Sequence, residues 1–512
     1  YYTFGSNYYL GYQGIKEGMD YFTTCRIGGE GWGKYNTHTR GSFSFADAYD
    51  GGMINHFHPN STMNFDEACD KAGIPIISHE TGQFQTYPDY REMKKYTGVL
   101  HPYNLEVFRR RLAAAGMLSQ ADDFHKASGL WSVKLYKADI EMDLRTRNMA
   151  GFQLLDIQDY PGQGSAFVGI LDAFMESKGI TTPEEWRQWC SPVVPLLEMK
   201  KFCFEDGEKI QAKVKVANYG GSSLKGKKLK WHLAEDEGVL NIFSYDEGLV
   251  DVGELNGVFH VQKPTKLLLT LNIEGTEARN SYELWVYPKK ALEKKGVIIA
   301  KDLNQEVVKV LEKGGKVLWM PTASSHFVAA DDTLSQADNA TPYTVGGLFQ
   351  TDYWNYRMFK TICENNKKKV SPGTLGILTN PEHPIFKGFP TEMHTNWQWF
   401  PVIKESHPLV LDNFAKDYRP VVQVIDNIER NHKLGLVMEW KVGAGKLLVC
   451  MSDLEKAAKY PEGKAFYQSV IDYMRSADFN PSAEITVDEL KKKLAEKPRQ
   501  VSLKELNNIS QY

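Results

Sequence analysis

The chain has 512 residues, of which 42% are hydrophobic and 24% are charged, a composition typical of folded proteins rather than of disordered ones. At about 150 residues per domain, this length indicates about three domains. The 61 basic and 64 acidic side chains give a net charge of -3, so the basic surplus that nucleic-acid binding needs is absent. No apolar run reaches the roughly 18 residues that span a membrane. We therefore expect neither a nucleic-acid partner nor a membrane span.

Residues 1–197 are predicted to form an α/β unit. The β-branched run at 74–78 (Ile-Pro-Ile-Ile-Ser) has the character of a buried parallel strand, and a second buried run lies at 151–157. Helical spacing is present at 63–72, 105–117 and 131–144. Strands that alternate with helices indicate a parallel sheet.

The period of the apolar residues changes to two in residues 198–288. Alternating segments at 209–216, 267–273 and 282–287 are separated by turn signals such as Asn-Tyr-Gly-Gly at 218–221. Several short strands of this kind predict an immunoglobulin-like β-sandwich.

Residues 289–480 return to an alternation of strands and helices, which predicts a doubly wound α/β domain. Predicted strands lie at 297–299, 316–320, 375–378 and 446–451, and predicted helices at 305–312 and 465–475. The Lys-rich segment 481–512 is predicted to be a charged, solvated helical tail.

A glutamate directly follows the first buried strand. Residues 76–84 read Ile-Ile-Ser-His-Glu-Thr-Gly-Gln-Phe, which places Glu80 at the carboxyl end of the strand and before a glycine. In a parallel barrel, such a residue points into the active site, where Glu can act as a nucleophile or as an acid/base. The alternative is a strand-ending Glu that pairs with a nearby Arg.

Polar residues also follow the second buried strand. Asp156 and Asp159 lie in 154–164, within a segment that continues Tyr-Pro-Gly-Gln-Gly. Their carboxylates can hold substrate hydroxyls, or they can cap the turns of a glycine-rich loop.

These two segments resemble the last two barrel strands of glycoside hydrolase family 2, which includes β-galactosidases, β-glucuronidases and β-mannosidases. The resemblance is carried by 75–82 (Pro-Ile-Ile-Ser-His-Glu-Thr-Gly) and by 151–160, and it extends to 1–7 and 20–24 as the fifth and sixth barrel strands. It implies a partial (β/α)8 barrel made of strands 5–8 and followed by a sandwich. It also implies that Glu80 is the nucleophile of a retaining exo-β-glycosidase.

The same resemblance places the acid/base after the fourth barrel strand, which is upstream of Tyr1. It therefore implies that the chain is a fragment that lacks this residue, and that its partner is the N-terminal half of the barrel or a second copy. His79 and Gln83 flank Glu80, and Asn55, His56 and Trp131 are further candidates for contact with an oligo- or polysaccharide substrate. A neutral sugar such as a β-galactoside is favoured because no strongly basic pocket stands out.

The third domain resembles the glutamine-amidotransferase-like accessory domain of some β-galactosidases, through 314–321 and 380–390. Cys450 is embedded in a predicted buried strand instead of a nucleophile elbow, so we predict that this domain is not catalytic. The six scattered Cys contain no CxxC pair and the Gly pairs form no phosphate loop, so we predict no metal and no cofactor.

The sequence therefore predicts a glycoside hydrolase that cleaves terminal β-linked sugars. The resemblance implies a periplasmic or extracellular location in a bacterium. The competing hypothesis is a non-catalytic carbohydrate-binding or assembly module. The sugar, its linkage and the oligomeric state are left open.

Overall fold

The computed structural model describes residues 1–3, 15–25, 54, 57–244, 247–321, 343–346, 349, 351 and 373–499. Its architecture is mixed α/β and β, with three sheet systems in chain order. One apolar cluster runs through all three and includes Tyr136, Leu269 and Leu448. No helix in the described ranges is long and apolar enough to cross a membrane.

The first unit contains a three-stranded parallel sheet in the order β1-β2-β3. Its strands are β1 (Phe22–Thr24), β2 (Ile76–Gly82) and β3 (Met149–Leu155). Its helices are α1 (Asp66–Ala72), α2 (Tyr103–Ala114), α3 (Ala121–Leu144) and α4 (Pro183–Trp186), with 3-10 turns at Tyr90–Lys95 and Leu118–Gln120. Parallel strands joined through helices confirm the predicted α/β character, and the expected strand at 20–24 is β1.

The long helix α3 packs against both β2 and β3 of this sheet. Leu135 and Tyr136 are fully buried on it, and the helix begins ten residues before the predicted start at 131. The expected strand at 1–7 falls mostly on residues outside the described ranges.

The second unit is a β-sandwich of two sheets, β4-β6-β9 and β5-β11-β10-β7-β8. Its strands are β4 (Val193–Glu198), β5 (Cys203–Glu205), β6 (Lys209–Asn218), β7 (Lys228–Leu233), β8 (Asp236–Asn241), β9 (Gly248–Val258), β10 (Thr265–Ile273) and β11 (Arg279–Tyr287). Ile210, Ala212, Val214 and Val216 of β6 are buried while Lys209, Gln211 and Lys213 are exposed. This alternation is the period-two signal that predicted a sandwich.

The third unit is built on one sheet in the order β12-β13-β18-β17-β16-β14, with β15 and β19 also paired to β17. Its strands are β12 (Ile298–Ala300), β13 (Lys316–Trp319), β14 (Thr374–Thr379), β15 (Leu409–Val410), β16 (Val422–Asp426), β17 (Lys433–Val442), β18 (Gly445–Cys450) and β19 (Glu484–Ile485). Its helices are α5 (Gln305–Glu312), α6 (Phe400–Lys404), α7 (Leu454–Ala457), α8 (Pro461–Arg475) and α9 (Val487–Ala495), with 3-10 turns at Pro384–Phe386 and Trp397–Trp399.

This sheet is mixed, whereas the doubly wound α/β domain that the sequence predicted is usually built on a mostly parallel sheet. Strands β12, β13 and β18 are parallel, but β18, β17, β16 and β14 pair antiparallel. The tight turn after Val442 joins β17 directly to β18, and so short a connection allows only antiparallel pairing.

The C-terminal segment also differs from the expected solvated tail. Strand β19 pairs with β17, and α9 buries Leu490 and Leu494 against the third unit. Thr486 and Glu489 form a capping box at the start of α9. The helix is therefore amphipathic and docked, with its lysines on the outer face.

Candidate functional site

Glu80 lies at the carboxyl end of β2, on a β-bulge. His79 is opposite Gln153 of β3 and Thr81 is opposite Leu154, so Glu80 is an extra residue between them. Its φ is 60°, a left-handed conformation that is uncommon for a residue with a Cβ. Bulges re-aim side chains near active sites, and strained backbone clusters at functional positions. The Glu80 side chain is 25% exposed, so its carboxylate reaches solvent.

Two neighbouring side chains contact the Glu80 carboxylate. The His79 imidazole Nε2 lies 3.8 Å from Oε1 of Glu80, and its Nδ1 lies 2.7 Å from Oε1 of Gln153. Because the Gln153 oxygen accepts, Nδ1 of His79 carries the hydrogen. The side-chain amide of Gln83 donates to Oε2 of Glu80 at 3.4 Å and to its backbone oxygen at 3.3 Å. The predicted residues His79, Glu80 and Gln83 are therefore brought together.

A pair of buried carboxyl groups on α3 holds the bulge through hydrogen bonds. Asp139 and Asp143 are one helical turn apart on α3, and each is at most 2% exposed. The backbone N–H of Gly82 donates to Oδ2 of Asp139 at 3.1 Å, and the Thr81 hydroxyl donates to Oδ2 of Asp143 at 3.4 Å. Burial, followed by the charge of Asp139, raises the pKa of Asp143. The pair therefore retains a proton and holds both residues that follow Glu80.

The ends of β2 and β3 are tied together behind the bulge. The backbone N–H of Gln83 donates to the Leu155 oxygen at 2.8 Å, and the Tyr136 hydroxyl donates to the same oxygen at 3.2 Å. Gly82 has a φ of 96°, and a Cβ added to it would lie 2.1 Å from Cε1 of Tyr136. Only glycine fits between the strand and this ring, so the glycine after Glu80 is a packing requirement.

Asp156 immediately follows β3 and is half-buried. Its Oδ1 accepts from the backbone N–H of Ile157 at 2.6 Å. Since Gln83 bonds to Leu155, Asp156 begins the segment that lies beside the residues after Glu80. Asn55 and His56 lie outside the described residues.

Asp159 was predicted to bind substrate, but it is 4% exposed and belongs to a buried ion pair. Its Oδ1 lies 2.6 Å from Nζ of Lys178 and accepts from the backbone N–H of Gly169 at 2.9 Å. Lys178 also donates to Thr86 at 3.1 Å. Lys178 thus joins the loops that follow β2 and β3. The Asp159 carboxylate is buried in this ion pair and does not face a ligand.

Trp131 was also predicted to contact substrate, and its position corrects that prediction. It is 1% exposed on α3, where its ring centroid lies 5.1 Å from that of Phe349 and 5.2 Å from that of Trp397. These partners belong to the third unit. Trp131 therefore packs between units, which is the ordinary role of a large apolar ring.

Sequence reasoning missed a buried glutamate in the loop after β2. Glu92 is 5% exposed, and the Tyr96 hydroxyl donates to its Oε1 at 2.9 Å. Burial raises the pKa of Glu92 to about 7, and the carboxylates of Asp159 and Asp172 add to the rise. The local signal was weak because Glu92 stands in a polar stretch, Tyr-Arg-Glu-Met-Lys-Lys, typical of an exposed turn.

No group of three or more His, Cys, Asp or Glu that could hold a metal occurs within the described ranges. In the third unit, burial raises the pKa of Cys450 to about 12. A thiol with so high a pKa is a poor nucleophile at neutral pH.

Comparisons with known proteins give family matches of unknown function. Residues 208–288 match a domain of unknown function (DUF8488), and residues 298–495 match another domain of unknown function (DUF8487). The first range lies in the β-sandwich and the second in the third unit. No curated protein matches the chain.

Solved structures that are similar to this chain include two glycosidases and a small domain. β-Glucuronidase 3 of Bacteroides uniformis is 12% identical, with 55% of this chain and 31% of that chain covered and a TM-score of 0.21. The endo-β-1,4-mannanase from Thermotoga petrophila is 11% identical, with 54% and 48% covered and a TM-score of 0.19. The CARDB domain of PF1109 from Pyrococcus furiosus is 10% identical, with 19% and 94% covered and a TM-score of 0.15. Scores of this size carry no assignment of fold or function.

Proposed function

We propose that this chain carries the nucleophile of a retaining exo-β-glycosidase, and that the nucleophile is Glu80. The supporting observation is a solvent-reaching carboxylate on a bulge with positive φ, at the carboxyl end of a parallel strand. Active sites of parallel barrels lie at this end of the strands. A buried carboxyl pair, a glycine and a tyrosine hold the bulge in place, which is the support that a catalytic group needs.

In this proposal, an oxygen of the ionised Glu80 carboxylate attacks the anomeric carbon. The bond from that carbon to the leaving oxygen breaks, and a second carboxyl donates a proton to the leaving group. Water, deprotonated by the same second carboxyl, then attacks the anomeric carbon and releases Glu80 from the glycosyl ester. Gln83 and His79 orient the nucleophile, and Asp156 is proposed to accept from a sugar hydroxyl. The proton donor is not assigned to a described residue.

The sheet that carries Glu80 has two edges without a strand partner among the described residues, on β1 and on β3. Unpaired edges expose backbone donors and acceptors that favour pairing with further strands. We propose that further barrel strands, from the same protein or from a second copy, cover them. Such strands are the proposed source of the proton donor.

The proposed substrate is a terminal β-linked neutral sugar such as a β-galactoside. The clearest test compares Glu80→Gln with Glu106→Gln, a control on α2 whose carboxylate is 37% exposed. The substrates are dinitrophenyl β-galactoside, β-glucoside and β-glucuronide, whose leaving groups depart without protonation, so the formation of the ester does not need the proton donor. We expect Glu80→Gln to lower turnover at least 1000-fold and Glu106→Gln to leave it unchanged. Equal activity in both variants would reject the role of Glu80.

A non-catalytic carbohydrate-binding or assembly module is the second candidate function. Its supporting observation is the extensive packing between units, in which Trp131 of the first contacts Phe349 and Trp397 of the third. The activated substrates separate the two functions. If neither wild-type chain nor its complex with the remaining barrel strands cleaves any of them, a module without turnover is favoured.

A further inference from the structure

A cavity of about 140 Å³ lies where the three units meet, on the face of α3 that carries Lys134, Lys137 and Glu141. Strands β10 and β11 of the sandwich form a second wall, and Trp397 of the third unit contributes to a third. This volume holds about five water molecules at roughly 30 Å³ each, or one sugar ring. The cavity does not include Glu80 or the residues that touch it.

The cavity wall carries equal numbers of basic and acidic side chains, which are Lys134, Lys137 and Arg145 against Glu141, Glu185 and Glu283. Nζ of Lys134 lies 2.5 Å from Oε2 of Glu283, and Lys137 forms an ion pair with Glu141. Burial acts to raise the pKa of Glu283, but Lys134 and Lys266 outweigh it and lower the pKa to about 2. Glu283 is therefore ionised at neutral pH and neutralises its lysine partner. Because its charges are paired, this wall can form hydrogen bonds with a ligand but has no net charge that would attract an ion.

Aromatic rings and uncharged polar groups complete the wall. Trp189 is 2% exposed, and Nζ of Lys137 lies 5.1 Å from the centroid of its ring. The Ser281 hydroxyl donates to Oε1 of Gln188 at 2.7 Å, which leaves the Gln188 amide N–H groups to face a further acceptor.

A half-buried amide N–H that loses water when a ligand binds needs an acceptor from that ligand. A ligand with several hydroxyl oxygens can accept from the Gln188 amide and can place its C–H face against the rings. An anion is disfavoured because the basic side chains are already paired, and a purely apolar ligand is disfavoured because it would leave the Gln188 amide unsatisfied.

We propose that this cavity binds a neutral saccharide unit, at a site separate from the Glu80 cleft. The features that favour this class are the Gln188 amide, which can donate to a hydroxyl oxygen, the aromatic surface and the balanced charge. The choice of a saccharide rests on the proposed glycosidase function, whereas the existence of a ligand site rests on the cavity itself. A sugar bound here would bridge all three units.

The test uses the full chain with the Glu80→Gln substitution, so that hydrolysis does not consume the probe. Its tryptophans carry a fluorine label, and the Trp189 resonance is assigned by its disappearance in Trp189→Phe. Methyl β-galactoside and methyl β-glucuronide are the probes. Leu268 lines the cavity on β10 and is 51% exposed, so Leu268→Trp narrows the entrance. Val239 on β8 is also 51% exposed and outside the cavity wall, which makes Val239→Trp the matched control.

We expect methyl β-galactoside to shift the Trp189 resonance with saturation, and the glucuronide to shift it at least tenfold more weakly. Leu268→Trp should abolish the shift and Val239→Trp should preserve it. By calorimetry, Gln188→Leu should weaken the cavity binding about three- to tenfold, as expected for one hydrogen bond. No shift with the galactoside, an equal response to both probes, or a shift that survives Leu268→Trp would overturn the proposal. If wild type lacks glycosidase activity but these shifts occur, the site stands and the proposed catalytic function fails.

Discussion

Replacing Glu92 with Gln tests how the loop after β2 is held. Burial raises the pKa of this carboxyl from 4.5 to about 7, and at about 1.4 kcal/mol per pKa unit this rise corresponds to about 3 kcal/mol. The unfolded chain loses the Glu92 proton near pH 4.5, while the folded chain keeps it up to about pH 7. Ionisation of Glu92 therefore lowers the stability of wild type progressively between pH 4.5 and about 7. Above about pH 7 the whole loss of stability is present.

The Gln variant does not ionise and keeps an acceptor for the Tyr96 hydroxyl. We expect its free energy of unfolding to equal that of wild type at pH 4.5 and to be up to about 3 kcal/mol higher at pH 8. The assay is chemical denaturation followed by tryptophan fluorescence at half-unit steps of pH. Glu184→Gln, at an exposed position of α4, is the control and should show no trend. If the difference in free energy of unfolding between Glu92→Gln and wild type stays constant from pH 4.5 to 8, the pKa of Glu92 is not raised by burial.

Three further substitutions test the packing of Gly82 beside Glu80, the buried Asp159–Lys178 pair, and Glu283 in the cavity wall. Gly82→Ala places a Cβ 2.1 Å from the ring of Tyr136, so we expect a loss of well over 1 kcal/mol in stability and a loss of any turnover that depends on the bulge. Lys178→Met leaves Asp159 as an uncompensated buried charge, which should cost about 3–5 kcal/mol in thermal unfolding. Glu283→Gln removes a carboxylate whose pKa is lowered to about 2. Wild type should be more stable than this variant above pH 4.5, and the difference in stability should disappear as the pH falls from 4.5 towards 2.

Each of these substitutions has a matched control in the chain. Gly73 has a φ of 69° and no atom within 4 Å of an added Cβ, so Gly73→Ala measures the conformational cost alone, about 1 kcal/mol. Exposed Lys126→Met and Glu254→Gln serve for the two charged positions. If a control lowers the stability as much as the substitution it is matched with, the contact that we assign to that substitution does not account for the loss.

The elements with strong local patterns could be predicted from the sequence. The apolar runs at 74–78 and 151–157 correspond to β2 and β3, and the alternation at 209–216 corresponds to β6. The burial that was predicted for 151–157 is wrong, because all of these residues are half-buried or exposed. These segments are specified by short-range periodicity, which the sequence displays directly. The placement of Glu80 at the end of β2 followed from the same signal.

The features that were missed depend on contacts between distant residues. Asp159 has the polar surroundings of a ligand-binding loop, and only the fold brings Lys178 to it. Trp131 lies on a helix whose apolar face is shared by two units, so its direction depends on how the third unit docks. The antiparallel half of the third sheet follows from strand order, which local patterns do not encode.

Mass spectrometry of the chain after treatment with 2-deoxy-2-fluoro-β-galactosyl fluoride tests whether Glu80 is the nucleophile. Fluoride leaves without a proton donor, and fluorine at C2 slows hydrolysis of the ester, so the glycosyl-enzyme accumulates. We expect one added fluorosugar on the peptide that contains Glu80, and no label in Glu80→Gln. A label on a different carboxylate, with Glu80 unmodified, would contradict it.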